Sequence, residues 1–122
     1  EGMTSGLHTA RPTVTLKLAT SLDGRIALAN GESKWITGAE ARLEVHRLRA
    51  AHAAVIVGSE TVLADDPELT CRLPGMAKRS PVRVVLDRAL RISGNSKLVH
   101  SARTTPLVAD IHFTPNAAEL AA

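Results

Sequence analysis

The most polar long segment of the sequence, GSETVLADDPELTCR at residues 58–72, carries side chains that could form a ligand site. Thr61, Asp65 and Arg72 supply a hydroxyl, a carboxylate and a guanidinium, and Gly58 and Ser59 could bring backbone amides close to a ligand. Because a guanidinium pairs with carboxylates and phosphates, this set suits an anionic ligand.

Other interpretations of the same residues stay open at this point. Residues 65–67 also fit a turn, in which Asp66 acts as an Asx or helix-capping residue ahead of a proline. A metal site is disfavoured because no histidine or third carboxylate lies at helical spacing from the two aspartates. Arg49 and Arg72 also fit solvated surface charges, and Lys17 fits an edge position on a strand.

Trp35 is the only tryptophan in a chain with one phenylalanine and no tyrosine. It lies in the polar sequence GESKW, residues 31–35, just before a predicted helix. A half-exposed ring beside a ligand pocket and a peripheral core position both fit this placement.

The elements that must position these residues begin with TVTLKLAT, residues 13–20, whose strict alternation predicts a strand with one apolar face. Asp23 and Gly24 then predict a turn. Thr37 and Glu40 form a capping box and predict that a helix starts at this point. The expected buried stripe of that helix is Ala41, Val45, Leu48 and Ala51, which leaves Arg42, Glu44, His46, Arg47 and Arg49 toward solvent or a cleft.

Three further apolar segments, residues 53–57, 81–87 and 106–110, predict strands. The first is typical of a strand that is covered on both faces. Strand, helix and strand in this order imply right-handed crossovers and a mostly parallel sheet, with ligands beyond the carboxyl ends of the strands. Thr114 begins a sequence that predicts a last helix. The predicted fold class is α/β, with three layers and helices flanking the sheet.

Length and composition exclude several classes of protein. A chain of 122 residues forms one domain, for which we expect residues 1–12 to be a linker or a cloning remnant and residues 13–122 to be the folded part. The net charge is only +3, and basic residues are scattered while aromatic residues are scarce, which argues against nucleic-acid binding. No apolar segment reaches the roughly 20 residues of a membrane span, and the single cysteine excludes an intrachain disulfide, so a cytoplasmic location is expected.

No short motif completes a site. The eight glycines form neither a GxGxxG nor a P-loop, and Cys71 and the five histidines have no spacing typical of a nucleophile system or a zinc site. Spacing and composition therefore predict an α/β domain with a polar cleft for an anionic ligand.

Three longer motifs carry a resemblance to a known family. LKLATSLDGRIA at 16–27, GESKWITG at 31–38 and VGSETVLADDPELT at 57–70 together resemble the reductase half of the bifunctional riboflavin-biosynthesis deaminase-reductases. The resemblance runs from about residue 11 to residue 97. It implies a dihydrofolate-reductase-like fold and NADPH-dependent reduction of 5-amino-6-(5-phosphoribosylamino)uracil, in which a hydride reaches C1′ of the ribose.

The resemblance also implies roles for individual residues. The implied cofactor contacts are Ala19, through its backbone, Trp35, Thr61 and Asp65. The implied substrate contacts are Ser33, Arg49, Leu69 and Arg72, of which the two arginines would hold the 5-phosphate. Lys17 is the implied catalytic residue, which would polarise the sugar or protonate it, and no metal is expected. The ring of Trp35 is expected to be half wet in the absence of ligand.

Two departures from the family limit what is expected. The sequence lacks the His-Ala-Glu and paired-cysteine motifs of the deaminase half, so we expect that domain in the parent chain and not here. It also ends before the Glu-Gly-Gly-rich segment that binds the cofactor phosphates in the family, which predicts truncation at the C-terminus. Two alternatives to this reductase function stay open. The chain could belong to a relative that acts on another pterin- or pyrimidine-like substrate, or it could be a catalytically incomplete nucleotide-binding or oligomerisation fragment of the same fold. The family also suggests a homo-oligomer.

Overall fold

The computed structural model describes residues 11–110, which belong to two compact units, Glu1–Gly38 and Ala39–Ala122. The second unit contains all the helices and strands of the described residues. They are α1 (Ala39–Ala51), β1 (Ala54–Gly58), α2 (Ser59–Asp65), β2 (Val82–Leu86), α3 (Lys97–His100) and β3 (Leu107–Asp110), with short 3-10 turns at Ala77–Arg79 and Ser101–Arg103. None of these helices is long and apolar enough to span a membrane.

The first unit consists of turns in its described part. The predicted Asp-Gly turn is present: the amide of Gly24 donates to the carbonyl of Ser21 at 2.9 Å, and Gly24 has a φ of +79°. The predicted strand at 13–20 is wrong, since these residues carry no regular secondary structure and Leu16 is 80% exposed. A strand requires backbone hydrogen bonds to a neighbour, and alternation predicts the apolar face of a strand but not its neighbour.

The second unit is built on a three-stranded parallel sheet in the order β1-β2-β3. Ile56 pairs with Val84, and Val84 pairs with Val108. The three strands lie within one residue of the predicted segments at 53–57, 81–87 and 106–110. The predictions of an α/β class, a parallel sheet and flanking helices are therefore confirmed.

One face of this sheet carries the core. Val62 from α2, Leu98 from α3, Leu69 from the loop after α2 and Val85 from β2 are buried together. On the opposite face, exposed fractions are 63% for Ile56, 50% for Leu86 and 48% for Val108. The prediction that the strand at 53–57 is covered on both faces is therefore wrong for the described residues, because Ile56 projects away from the core.

The predicted helix after Thr37 is also present as α1, which begins at Ala39 with Glu40 in its first turn. Of its expected buried stripe, Val45 and Leu48 are half-buried whereas Ala41 and Ala51 are exposed. The predicted helix at 114 and residues 1–10 of the predicted linker lie outside the described residues.

Candidate anion-binding site

Arg49, in the last turn of α1, connects this helix to the loop that follows α2. Its Nη1 donates a hydrogen bond to the carbonyl oxygen of Thr70 at 3.1 Å, and its side chain is half-buried. Burial, and then the positive charge of Arg72, lower the pKa of Arg49 from its ordinary value. An arginine nevertheless stays charged at neutral pH, so two like charges face each other in this region.

Arg72, at the end of the same loop, is exposed and pairs with Glu68. Its Nη1 lies 3.2 Å from Oε2 of Glu68, an oxygen that also accepts from the Thr70 hydroxyl at 3.5 Å. Exposed ion pairs of this kind contribute little free energy, so an anionic ligand can displace the glutamate. The two arginines and Thr70 thus form a candidate anion site in the described part of this unit.

Leu69 gives the loop its shape. Its φ is +57°, in the left-handed region, and its side chain is 6% exposed within the core. A buried side chain leaves only the backbone of Leu69 for a ligand, so the predicted substrate contact reduces to its peptide groups.

His46 joins the same region from α1. Its Nδ1 accepts a hydrogen bond from the backbone amide of Arg72 at 3.2 Å, and its carbonyl oxygen accepts from the thiol of Cys71 at 3.4 Å. Sequence reasoning missed this residue. The available signal was its position three residues before Arg49, which places both side chains on one face of a helix.

The segment is fixed from its other side as well. The amide of Cys71 donates to Oγ of Ser80 at 3.0 Å, and that hydroxyl donates to the carbonyl of Ala77 at 2.8 Å. Cys71 is 2% exposed, so its thiol is a packing group that also donates to His46. Residues 70–72 are therefore hydrogen-bonded on two sides.

Thr61 and Asp65 lie on α2, directly after the carboxyl end of β1. They are four residues apart, which places them on one face of the helix, and both are exposed. Val62 between them is buried and anchors α2 to the core. Asp66, the residue after Asp65, has a φ of +41°. Its Oδ1 accepts a hydrogen bond from the backbone amide of Lys97 at 2.9 Å and thereby caps the start of α3, so this oxygen is not available to a ligand.

The other four predicted site residues belong to the first unit. Lys17 is exposed, while Ala19 and Ser33 are half-buried. Trp35 is 71% exposed, which is more than the half-wet ring that the sequence predicts, and its peptide bond to Lys34 is cis. The other five predicted site residues belong to the second unit. Leu69 and Arg72 lie on the loop after α2, and Arg49 of α1 contacts that loop through Thr70, whereas Thr61 and Asp65 lie on α2.

The sequence profile of the RibD C-terminal domain matches residues 12–119, which is most of the chain. The chain belongs to the RibD C-terminal domain family. Among curated proteins, it is 51% identical over 86 residues to the riboflavin biosynthesis protein RibD of Bacillus amyloliquefaciens, which covers 70% of this chain and 23% of the relative. It is 40% identical over 116 residues to RibD of Escherichia coli, which covers 86% of this chain and 32% of the relative.

Solved structures of RibD proteins have the same fold. A deaminase/5-amino-6-(5-phosphoribosylamino)uracil reductase of Thermotoga maritima is 41% identical with a TM-score of 0.67, over 80% of this chain and 28% of that one. RibD of Acinetobacter baumannii is also 41% identical, with a TM-score of 0.65, over 84% of this chain and 30% of that one. The chain thus spans no more than about a third of the length of these RibD relatives.

Proposed function

We propose that this chain forms part of an NADPH-dependent reductase of riboflavin biosynthesis, which converts 5-amino-6-(5-phosphoribosylamino)uracil to the ribitylamino product. The observation that carries the proposal is the placement of two guanidinium groups, Arg49 and Arg72, around the Thr70 segment in a member of the RibD C-terminal domain family.

The phosphate end of the substrate suits the arginine pair. A phosphate monoester carries close to two negative charges at neutral pH, and guanidinium groups bind its oxygens in a planar, two-pronged geometry. Repulsion between Arg49 and Arg72 is relieved when an anion lies between them, which adds to the affinity. Glu68 must give up its contact with Arg72 when the phosphate binds.

The ribose end of a nicotinamide dinucleotide suits α2. The exposed hydroxyl of Thr61 and carboxylate of Asp65 can donate to and accept from sugar hydroxyls. Trp35, which is largely exposed, offers a flat apolar surface for an aromatic ring. The donor set of these residues therefore fits the sugar and ring parts of NADPH, and we propose them as cofactor contacts together with the backbone of Ala19.

The chain's own residues would bind and orient the substrate. NADPH, when bound, supplies the hydride. We propose that the arginines hold the phosphate and that the backbone of Leu69 contacts the substrate. Ser33 is proposed as a further substrate contact. Lys17 would then donate a proton to the ribose oxygen as the sugar opens, which is the general-acid role that an ammonium group can perform.

Three further parts of the proposal rest on family membership. The matched segment covers 23% of the Bacillus amyloliquefaciens protein and 28% of the Thermotoga maritima protein. The latter is described as both a deaminase and a reductase. Together these observations support a deaminase domain in the parent protein. Homo-oligomerisation and a cytoplasmic location follow the same family expectation. Sedimentation at several protein concentrations tests the oligomeric state.

The proposed activity is tested by following NADPH oxidation by the purified chain with 5-amino-6-(5-phosphoribosylamino)uracil added or omitted. Oxidation that depends on this substrate is the expected result. Binding of NADPH without any substrate-dependent oxidation would support the alternative, a catalytically incomplete nucleotide-binding fragment. The absence of both binding and oxidation would contradict the cofactor assignment as well.

A further inference from the structure

Three consecutive residues of the loop after α2 bond to one turn of α1. The carbonyl of Thr70 accepts from the side chain of Arg49, the thiol of Cys71 donates to the carbonyl of His46, and the amide of Arg72 donates to Nδ1 of His46. In the last of these bonds, an imidazole nitrogen of His46 accepts from the backbone of Arg72, a residue proposed to bind phosphate.

This hydrogen bond determines the protonation state of the histidine ring. Because Nδ1 accepts from a backbone amide, the proton of the neutral ring must lie on Nε2. A protonated ring would present an N–H group to the amide N–H of Arg72, and the hydrogen bond would be lost. Burial, followed by the positive charges of Arg49 and Arg72, lowers the pKa of His46 and outweighs the hydrogen bond to the Thr70 backbone that raises it, which favours the neutral ring at pH 7.

This bond connects the backbone of Arg72 to α1. Arg49 is held by its own contact with Thr70, whereas the side chain of Arg72 is exposed and pairs with Glu68. The backbone of Arg72 is therefore the part of this residue that α1 fixes, and His46 is the residue that fixes it.

We infer that His46 is a positioning residue of the proposed phosphate site, whose neutral ring holds the backbone amide of Arg72 so that Arg72 and Arg49 can bind the same anion. The inference rests on the proposed function and adds to it a residue that makes no contact with the substrate itself. A side chain that accepts a hydrogen bond at the position of Nδ1 should satisfy the requirement, and one that only fills space should not.

Two variants separate acceptance of a hydrogen bond from packing. In His46→Asn the amide oxygen lies close to the position of Nδ1 and can accept from Arg72, whereas in His46→Leu the volume is similar but no acceptor remains. The probe is ribose 5-phosphate, with ribose as the uncharged comparison, and binding is measured by calorimetry. His100→Leu, which replaces an exposed histidine of α3, is the matched control.

We expect His46→Leu to weaken ribose 5-phosphate binding about tenfold, the loss that corresponds to one hydrogen bond. His46→Asn should restore affinity to within about threefold of the unmodified chain, and His100→Leu should bind normally. In the turnover assay, His46→Leu should raise the KM for the phosphorylated substrate and leave the KM for NADPH unchanged. Equal affinity in the Asn and Leu variants would overturn the role of His46 but leave the proposed phosphate site standing.

A spectroscopic measurement on the unmodified chain tests the inference without any variant. Nitrogen-15 chemical shifts of the imidazole should identify His46 as the Nε2–H tautomer at pH 7, and the Nδ1–H tautomer would overturn the inference. If the unmodified chain binds ribose 5-phosphate no better than ribose, both the phosphate site and the role of His46 are wrong. The failure of the proposed function is thereby distinguished from the failure of the inference.

Discussion

The guanidinium of Arg49 donates a hydrogen bond to the carbonyl oxygen of Thr70, which lies 21 residues further along the chain. The same group is proposed to bind phosphate, for which its length and planarity are suited. Arg49→Lys keeps the charge but replaces a rigid fork with a single ammonium group. We expect ribose 5-phosphate binding to weaken about tenfold or more, as measured by calorimetry.

Arg47→Lys is the matched control for this prediction, because Arg47 lies on the same helix, is exposed and pairs with Glu44. It should bind ribose 5-phosphate normally. An Arg49→Lys variant with full affinity would remove Arg49 from the phosphate site.

Glu68 competes with any anion for Arg72, since its Oε2 lies 3.2 Å from Nη1 of that residue. Glu68→Gln removes the competing charge and should tighten ribose 5-phosphate binding about two- to threefold, an effect of the size expected for an exposed ion pair. The gain should shrink as salt is added, because salt screens exposed charges. Glu44→Gln, at an exposed pair on α1, should change nothing, and a weaker Glu68→Gln variant would contradict the competition.

His46 makes the stability of the fold depend on pH. Its pKa is lowered in the folded chain by burial and by Arg49 and Arg72, so the unfolded chain takes up this proton at a higher pH than the folded chain does. The stabilisation is therefore complete above the unfolded value of about 6.5 and is lost as the pH falls toward the lowered value.

The prediction is tested with urea unfolding of the unmodified chain and His46→Asn at about pH 8 and about pH 5. Other groups titrate in both proteins, so the difference between the two isolates His46. The free energy of unfolding should fall more for the unmodified chain. An equal fall in both proteins would show that His46 does not titrate differently on folding.

Arg83 is a buried cation in the middle strand of the sheet. It is fully buried and donates to the carbonyl of Glu68 at 3.2 Å, to the hydroxyl of Ser101 at 2.6 Å, and to the carbonyl of Thr105. Arg83→Lys cannot reach three acceptors with one ammonium group, and it should lower the free energy of unfolding by about 2 kcal/mol. Urea unfolding measures this loss, with the exposed Arg79→Lys as a control that should be unchanged.

Lys17 is the proposed proton donor of the reaction. Lys17→Met removes the ammonium group and should abolish substrate-dependent NADPH oxidation while NADPH binding stays near normal. Lys78→Met, at an exposed position in the 3-10 turn at 77–79, is the control for the loss of a surface lysine. Unchanged turnover in Lys17→Met would remove Lys17 from the mechanism.

Much of the second unit could be predicted from the sequence, because its strands are short apolar segments bounded by polar turns. The segments at 53–57, 81–87 and 106–110 are all strands, and α1 begins close to Thr37. The segment at 13–20 has an equally clear pattern but no regular structure. Alternation is a local property, whereas a strand exists only if a neighbour pairs with it.

The candidate site could be predicted only in part. The family resemblance implies substrate roles for Arg49 and Arg72, but the contact between His46 and the Arg72 amide joins residues 26 positions apart. Such a contact depends on the path of the loop between them, in which Asp66 and Leu69 both have positive φ values. The aspartate-proline sequence predicts a turn at 65–67, but Leu69 is neither glycine nor a typical turn residue, so nothing in the local sequence predicts its positive φ.

Leu69 limits how this protein can be altered by selection or by design. Its side chain is part of the buried cluster and its backbone shapes the loop that carries Arg72, so one substitution disturbs the stability of the fold and the proposed anion site together. Glycine would relieve the backbone but leave a cavity, and a β-branched residue would fill the space but resist the positive φ. Glu68, whose side chain is about half exposed, has neither restriction. At the proposed anion site, substitution is therefore less restricted at residue 68 than at residue 69.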